Sequence, residues 1–357
     1  MRLIHCSDLH LDSRMESNLS PRQARERSNE ICATFARMVD WAGDNGVRGV
    51  LLAGDLFDTG RVLKKTADFV LDTIAHARDV DFYYLRGNHD DGRDPFAGKT
   101  LPENLHLFGE EWVSYELEDV TITGRELNRE NWQDCYDKLK LDGEKVNIVT
   151  LHGQVATQPG EEMIALPLLR GKCIDYLALG HIHGYRAEGL DARGQWCYSG
   201  CLEGRGFDEC GEKGFVLLDI NEEQVNHTFV PFAIRKVCEV TVDISDCTTI
   251  LQIHRAMEAA AGGISGGSMV KFTLTGGYTP ETQKDLPALT ELMNGRYWFV
   301  KIKDESRFRM DPAAYEHDIS LKGQFIRLVM ASDRTEDEKA QIICAGLQAL
   351  AGEEVEV

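Results

Sequence analysis

Basic charge is scarce in this sequence. Against 39 Lys and Arg stand 59 Asp and Glu, a formal net charge of -20, and residues 1–230 hold 25 of the basic and 40 of the acidic side chains. Nonspecific affinity for nucleic acid comes mostly from Lys and Arg, so the balance counts against a protein that simply coats DNA. It leaves room for an enzyme whose bound metals supply the local positive charge. Long apolar runs are missing as well: none approaches the roughly 18 residues of a membrane span. The start, "MRLIHCSDLHLD", turns polar after Leu3-Ile4, too early for a secretion signal. The expectation is a soluble, cytoplasmic protein with no membrane partner. Ten cysteines are scattered from Cys6 to Cys344 without a dense framework, and the close pair Cys197/Cys201 has no second pair at zinc-site spacing. They read as reduced, buried thiols. Internal repeats and low-complexity tracts are also lacking.

What is present is a globular chain of 357 residues, 43% hydrophobic and 27% charged, long for a single core. Apolar residues alternate between strand and helix spacing from the start. Leu3-Ile4-His5-Cys6, Val50-Leu51-Leu52-Ala53 and Phe82-Tyr83-Tyr84-Leu85 read as strands. Between them, Ala24, Ile31, Phe35, Met38, Val39 and Ala42, then Leu63, Ala67, Val70, Leu71 and Ile74, recur at helical spacing. A β-α-β-α-β run implies a parallel sheet with crossover helices. Shorter strands follow in "NLHLFG", "WVSYELED", "VTITGREL", "VNIVTLHG", "DYLALGHIH", "QWCYSG" and "KGFVLLDI", with a helix near 130–139 and a Gly-rich turn, "GCLEGRGFDECGEKG". The count favours an α/β two-sheet sandwich flanked by helices. A smaller α+β domain is expected over 231–335, with helices near 248–261 and 280–292 and a strand in "RYWFVKIKD". A C-terminal helix and short acidic tail complete 336–357.

The strand ends carry the chemistry. The stretch "RGNHD" ends a buried strand with an amide, an imidazole and a carboxylate. Other strands end alike: Asp8 and His10 in "SDLH", Asp55 and Asp58 in "GDLFD", His152 in "LHG", His181 and His183 in "GHIH". Ligands of open α/β sheets collect at the carboxyl ends of strands, so groups spread over half the chain can converge. Glycines before Asp55, Asn88 and His181 allow tight turns where a Cβ would obstruct. Extended segments would point Asp8 with His10, and His181 with His183, to one side. One such residue alone reads as a turn or a satisfied core group; five strand ends together do not. Mixed carboxylate, amide and imidazole donors suit a first-row divalent ion such as manganese, iron or zinc. There are too many donors for one tetrahedral ion, and two ions bridged by a carboxylate use them all.

In order, the motifs D-x-H, G-D-x-x-D, G-N-H-D, H and G-H-x-H resemble those of the calcineurin-like metallophosphoesterases. Within that superfamily, "HCSDLHLDS", "AGDLFDTG", "RGNHD", "LPENLHLFG", "YLALGHIH" and "SLKGQFIRLVMASD" are similar to SbcD-type (YhaO-like) DNA repair nucleases. The resemblance implies a metallophosphoesterase αββα sandwich over 1–230 and a DNA-facing capping domain after it. It implies one metal on Asp8, His10, Asp55 and His183, another on Asn88, His152, His181 and the bridging Asp55, with manganese favoured. His89 would face the scissile phosphate and supply a proton or charge to the leaving group. Asp58, histidine in archaeal and eukaryotic relatives, would orient His89, with Asp90 as the alternative orienter or a turn residue. DNA as substrate, dimerisation and a partner ATPase of the SMC-like class are further implications.

Two segments remain. Residues 296–309 interleave Arg296, Lys301, Lys303, Arg307 and Arg309 with aromatics: either a DNA-binding strip or an alternating strand with one core face. Ala340, Ile343, Cys344 and Leu347 form a helical stripe after a cap at Thr335 or Ser332, read as packing on its own domain. The leading function is a metal-dependent DNA exonuclease in DNA repair, with single-strand endonuclease activity left open. A phosphoesterase acting on a small phosphoester or phosphoprotein, and a DNA-end tethering scaffold subunit, stay open.

Overall fold

The computed structural model describes residues 1–15, 19–58, 62–90, 94–221, 224–279, 282–309 and 315–351, with backbone alone at Glu336, Asp337, Cys344, Gln348 and Ala351. The expected acidic tail lies outside the described residues, as does the Cys344 side chain. The chain divides into two compact units after Val237, where the sequence suggested 230/231.

The first unit opens with the expected alternation: β1 (Arg2–Cys6), α1 (Pro21–Asp44), β2 (Val47–Ala53), α2 (Lys64–His76) and β3 (Asp81–Leu85). It continues through β4 (Leu105–Leu107), β5 (Val113–Leu117), β6 (Val120–Gly124), α3 (Cys135–Lys138), β7 (Val146–His152), β8 (Gln154–Ala156), β9 (Met163–Ala165), α4 (Leu166–Leu169) and β10 (Tyr176–Gly180). It closes with β11 (Arg186–Gly189), β12 (Gln195–Tyr198), β13 (Gly214–Asn221) and β14 (Gln224–Pro231).

Two six-stranded mixed sheets result, in the orders β14-β13-β1-β2-β3-β4 and β11-β12-β10-β7-β6-β5. β1 to β4 run parallel, and so do β6, β7, β10 and β12. Period-2 alternation explains how one strand serves two cores. Leu3, Leu51 and Tyr83 join Ile122, Ile148 and Tyr176 between the sheets. Their neighbours Ile4, Val50, Leu52, Phe82 and Tyr84 face outward onto Ile31, Phe35, Met38, Val70 and Ile74 of the helices. Val149 and Leu151 cover the outer side of the second sheet with Leu169 and Tyr136. The fold class is thus α/β, two mixed sheets between helices.

Local chemistry sets the helix ends. Ser20 caps α1 in a capping box with Gln23, and Pro21 occupies its first turn. Leu63, expected in the stripe of α2, is its exposed N-cap residue. The helix near 130–139 shrinks to α3. Asn128 Oδ1 accepts from the backbone N–H of Glu130 and Asn131, and Asn131 Oδ1 accepts from that of Asn128. Such side-chain bonds hold the backbone in turns and compete with a helix.

The second unit holds β15 (Val237–Asp243), α5 (Ile250–Ala260), β16 (Met269–Thr275), β17 (Gly277–Tyr278), α6 (Leu286–Asn294), β18 (Phe299–Asp304), β19 (Arg307–Phe308), α7 (Leu321–Met330) and α8 (Glu336–Ala351). β15, β16 and β18 make a three-stranded sheet, cored by Ile253, Met257, Val270, Phe272, Leu289 and Met293. α7 and α8 share a cluster of Ile326, Val329, Ile343 and Leu347, so the boundary drawn at 335/336 falls inside a helical hairpin. Thr335 accepts from the Glu338 N–H, the cap expected for α8. No helix among the described residues is long and apolar enough to cross a membrane.

Candidate metal centre

Because β1, β2, β3, β7 and β10 lie in parallel runs within their sheets, the loops leaving their carboxyl ends gather, and the expected donors meet there. Asp8, His10 and His183 place donor atoms within 4.8 Å of one another, as do Asp8, Asp55 and His152. Asn88 Oδ1 lies 2.9 Å from His152 Nε2 and 3.3 Å from His181 Nδ1. Asp55 Oδ2 stands 3.3 Å from His152 Nε2 and 3.9 Å from His10 Nε2, between the two groups.

The extended backbone expected for Asp8, His10 and His181 is absent. Their φ angles are 53°, 48° and 103°, and that of Asp55 is 52°. Non-glycine residues in this region carry strain that neighbouring bonds must hold, a pattern common at functional sites. Here Asp8 N–H donates to Gly54 O (3.0 Å), His10 N–H to Asp55 O (3.0 Å), and His181 N–H to Asp8 Oδ1 (3.0 Å). Two glycines show why a Cβ is excluded. At Gly54, with φ +94°, it would sit 2.1 Å from His152 Nδ1; at Gly180, 1.9 Å from Ala53 O.

Three of the four imidazoles have a carbonyl or carboxylate behind them, at the nitrogen turned away from the group. His152 Nδ1–H donates to Ala53 O (3.0 Å) and His183 Nδ1–H to Glu209 Oε1 (2.6 Å). Asp58 Oδ1 approaches His10 Nδ1 to 3.0 Å, obliquely to the N–H direction. Nε2 of His10 and Nε2 of His183 face each other at 3.2 Å, within hydrogen-bond reach when one of the two carries a proton. A cation there, with Asp8 beside both nitrogens, could take the place of that proton, so the donor set fits a metal ion.

Titration behaviour agrees. Burial raises Asp55, but the hydrogen bond and charge of His152, with His10, outweigh it and hold the carboxyl at about 2. Burial lowers His152, yet Asp55 brings it up to about 9, so a proton occupies the side of His152 where a cation would bind. Burial depresses His10 and, with the His152 charge, His181. For His183, burial is overcome by the bond to Glu209 and the net shift is upward.

Asp58 Oδ1 stands nearest His10 and accepts from Arg205 Nη1 (2.8 Å), while His10, Asp58 and His89, the last expected as its partner, hold donor atoms within 4.8 Å of one another. His89 stands in the same group: its side chain is exposed, its ring packs edge-on to His10 with centroids 4.9 Å apart, and its N–H donates to Asp55 Oδ1 (2.8 Å). Asp90 is a turn residue. It accepts from the N–H groups of Leu56, Phe57 and Gly87, and burial against those bonds places its pKa at about 6.

Sequence reasoning missed Arg205 and Glu209 because a Gly-rich turn reads as a connection. The rule that found the other donors applies there too: β12 runs parallel to β10, so the loop leaving its carboxyl end reaches the same edge. A cavity of about 570 Å³ adjoins Asn88 and His152, bordered also by Arg86, Glu110, Glu126 and Glu162. The five basic residues belong to the second unit. Tyr297 and Val300 are core there; Arg296 pairs with Glu258 (2.6 Å) and Lys303 with Glu305 (2.5 Å), while Arg307 and Arg309 are exposed and Lys301 half-buried.

The calcineurin-like phosphoesterase family pattern matches residues 1–185. Among curated proteins, the uncharacterized metallophosphoesterase YhaO of Bacillus subtilis is 30% identical over 250 residues, 64% of this chain and 60% of its own length. The DNA double-strand break repair protein Mre11 of Sulfurisphaera tokodaii is 26% identical over 53% of this chain and 51% of its own length. Both matches span less than two thirds of the relative. Among solved structures, GAP50, the anchor in the inner membrane complex of Plasmodium, aligns at a TM-score of 0.44 and 12% identity, over 66% of this chain and 85% of its own.

Proposed function

This chain belongs to the calcineurin-like phosphoesterase family, and on that premise we propose that it is an SbcD-type phosphodiesterase hydrolysing DNA as an exonuclease in repair. The observation that carries the metal-dependent chemistry is the convergence of Asp8, His10 and His183, and of Asp8, Asp55 and His152, with donor atoms within 4.8 Å of one another in each group. The likeness to Mre11, a DNA double-strand break repair protein, supports DNA as substrate.

Asp8, His10, Asp55 and His183 would hold one divalent ion, and Asp55, Asn88, His152 and His181 the other, manganese being the first choice and iron or zinc alternatives. When bound, the ions lower the pKa of a shared water and neutralise phosphoryl oxygens. His89, exposed beside His10, is placed to donate a proton or a hydrogen bond to the leaving oxygen. Asp58 acts through His10. In the second unit, Lys301, Arg307 and Arg309 would meet phosphates, with Arg296 and Lys303 shared between DNA and their Glu partners. A homodimer and an SMC-like ATPase partner belong to this reading.

The test starts from metal-free protein supplied with manganese and follows 3′- and 5′-labelled single- and double-stranded DNA beside a small phosphodiester. Manganese-dependent cleavage of DNA is expected, falling about 10²–10⁴-fold in His89→Ala while manganese binding stays. Cleavage of the small ester alone would move the substrate to the second reading. That reading, a small phosphoester, is favoured by the net acidity of residues 1–230, which counts against a polyanion such as DNA.

A further inference from the structure

We propose that Arg205 and Glu209 are positioning residues that set the spacing of His10 and His183, and so the affinity of the one ion site those two imidazoles share. The inference rests on the metal-centre reading above and extends it to residues outside the donor motifs.

The geometry is a continuous chain of contacts. Glu209 Oε1 accepts from His183 Nδ1 (2.6 Å) and from Arg205 Nη2 (3.0 Å) and Nε (3.2 Å). Glu209 Oε2 accepts from the Arg205 backbone N–H (2.6 Å). Arg205 Nη1 donates to Asp58 Oδ1 (2.8 Å), which stands 3.0 Å from His10 Nδ1. One guanidinium thus joins the carboxylates behind both imidazoles. The far ends of those rings are the nitrogens 3.2 Å apart.

A planar guanidinium does this where an ammonium would not, because its separate N–H groups serve two carboxylates in fixed directions. Neutralising Asp58 and Glu209 also keeps them behind the imidazoles instead of competing with Asp8 and Asp55 for the ion. Outer carboxylates of this kind fix a ligating imidazole's tautomer and direction. The loop carrying the clasp is anchored at its start: buried Glu203 accepts from Arg27 Nη2 (2.6 Å) and Thr34 Oγ1 (2.6 Å), and Arg27 also donates to Gly204 O (2.6 Å). From the other side, Lys213 Nζ donates to His183 O (2.6 Å). The clasp ends on His10 and His183; His152 is aimed by Ala53 O instead.

The experiment is manganese titration of the metal-free full chain by calorimetry, with electron paramagnetic resonance reporting exchange-coupled ion pairs. Wild type should bind two ions and show the coupled spectrum. Glu209→Gln and Arg205→Lys should each keep one ion at wild-type affinity, bind the second about 10–100-fold more weakly, and lose the coupled spectrum until manganese is raised. Their turnover should recover toward wild type at high manganese, raising the metal concentration needed more than it lowers kcat. Two ions at wild-type affinity in both variants would overturn the clasp, and so would equal weakening of both sites, the signature of a general loss of structure. A wild-type chain binding fewer than two ions would instead overturn the dinuclear reading beneath it.

Discussion

His152 is the group through which pH should act on metal binding. In the metal-free protein Asp55 holds it protonated up to about pH 9, and an ion can take its Nε2 only by displacing that proton. Manganese affinity should therefore rise about tenfold per pH unit between roughly 7 and 9. Calorimetry in buffers of different ionisation enthalpy should count the released proton; pH-independent affinity over that range would refute it. For stability without metal the sign is opposite. A histidine raised from 6.5 stabilises fully below 6.5, and the contribution is lost as pH climbs through about 9. At Asp58 the structure changes the expectation. With its carboxylate on His10 and Arg205, Asp58→Asn should lose manganese affinity and turnover together, whereas an orienter of His89 would cost turnover alone. Binding and single-turnover assays on one preparation separate the two.

The loops, more than the strands, decide the site at the level of elements. The loop leaving β12 is tied to α1 by Arg27 and Glu203, whose side chains are both fully buried. Removing one member leaves the other charge unpaired, so Glu203→Ala should destabilise the first unit by roughly 3–5 kcal/mol. The exposed pair Arg2–Asp219, broken by Asp219→Ala, should cost about 0–1 kcal/mol. Denaturant unfolding of the two variants side by side provides the comparison. In the second unit, β18 behaves as a strand with a core face, and its basic residues stand on the other side or beyond it. Reversing Lys301 and Lys303 to Glu should weaken DNA binding and flatten its salt dependence; unchanged binding would assign these residues to the strand alone. The helix expected near 130–139 shows the limit of periodicity at this scale, since Asn128 and Asn131 bond the backbone locally and spacing alone does not reveal it.

For the molecule as a whole, two units with separate cores imply separable unfolding. Metal should stabilise only the unit ending at Val237, which holds every candidate donor. At a free ion concentration 100 times Kd the gain per ion is about 2.7 kcal/mol. For a unit of this size that should raise its midpoint by about 5–10 °C. Calorimetric scans with manganese and with chelator should move one transition and leave the other; a common shift would contradict the division. The amino-acid sequence alone determined the alternating core, the family motifs and the seven candidate donors, because burial periodicity and strand-end placement are local properties of the chain. Tertiary structure decided the rest. Arg205 meets Asp58 across 147 positions and Glu209 meets His183 across 26, and such partners follow from which loops share a sheet edge. The left-handed backbones of Asp8, His10 and Asp55 were also invisible to spacing, since only bonds made to other loops hold them.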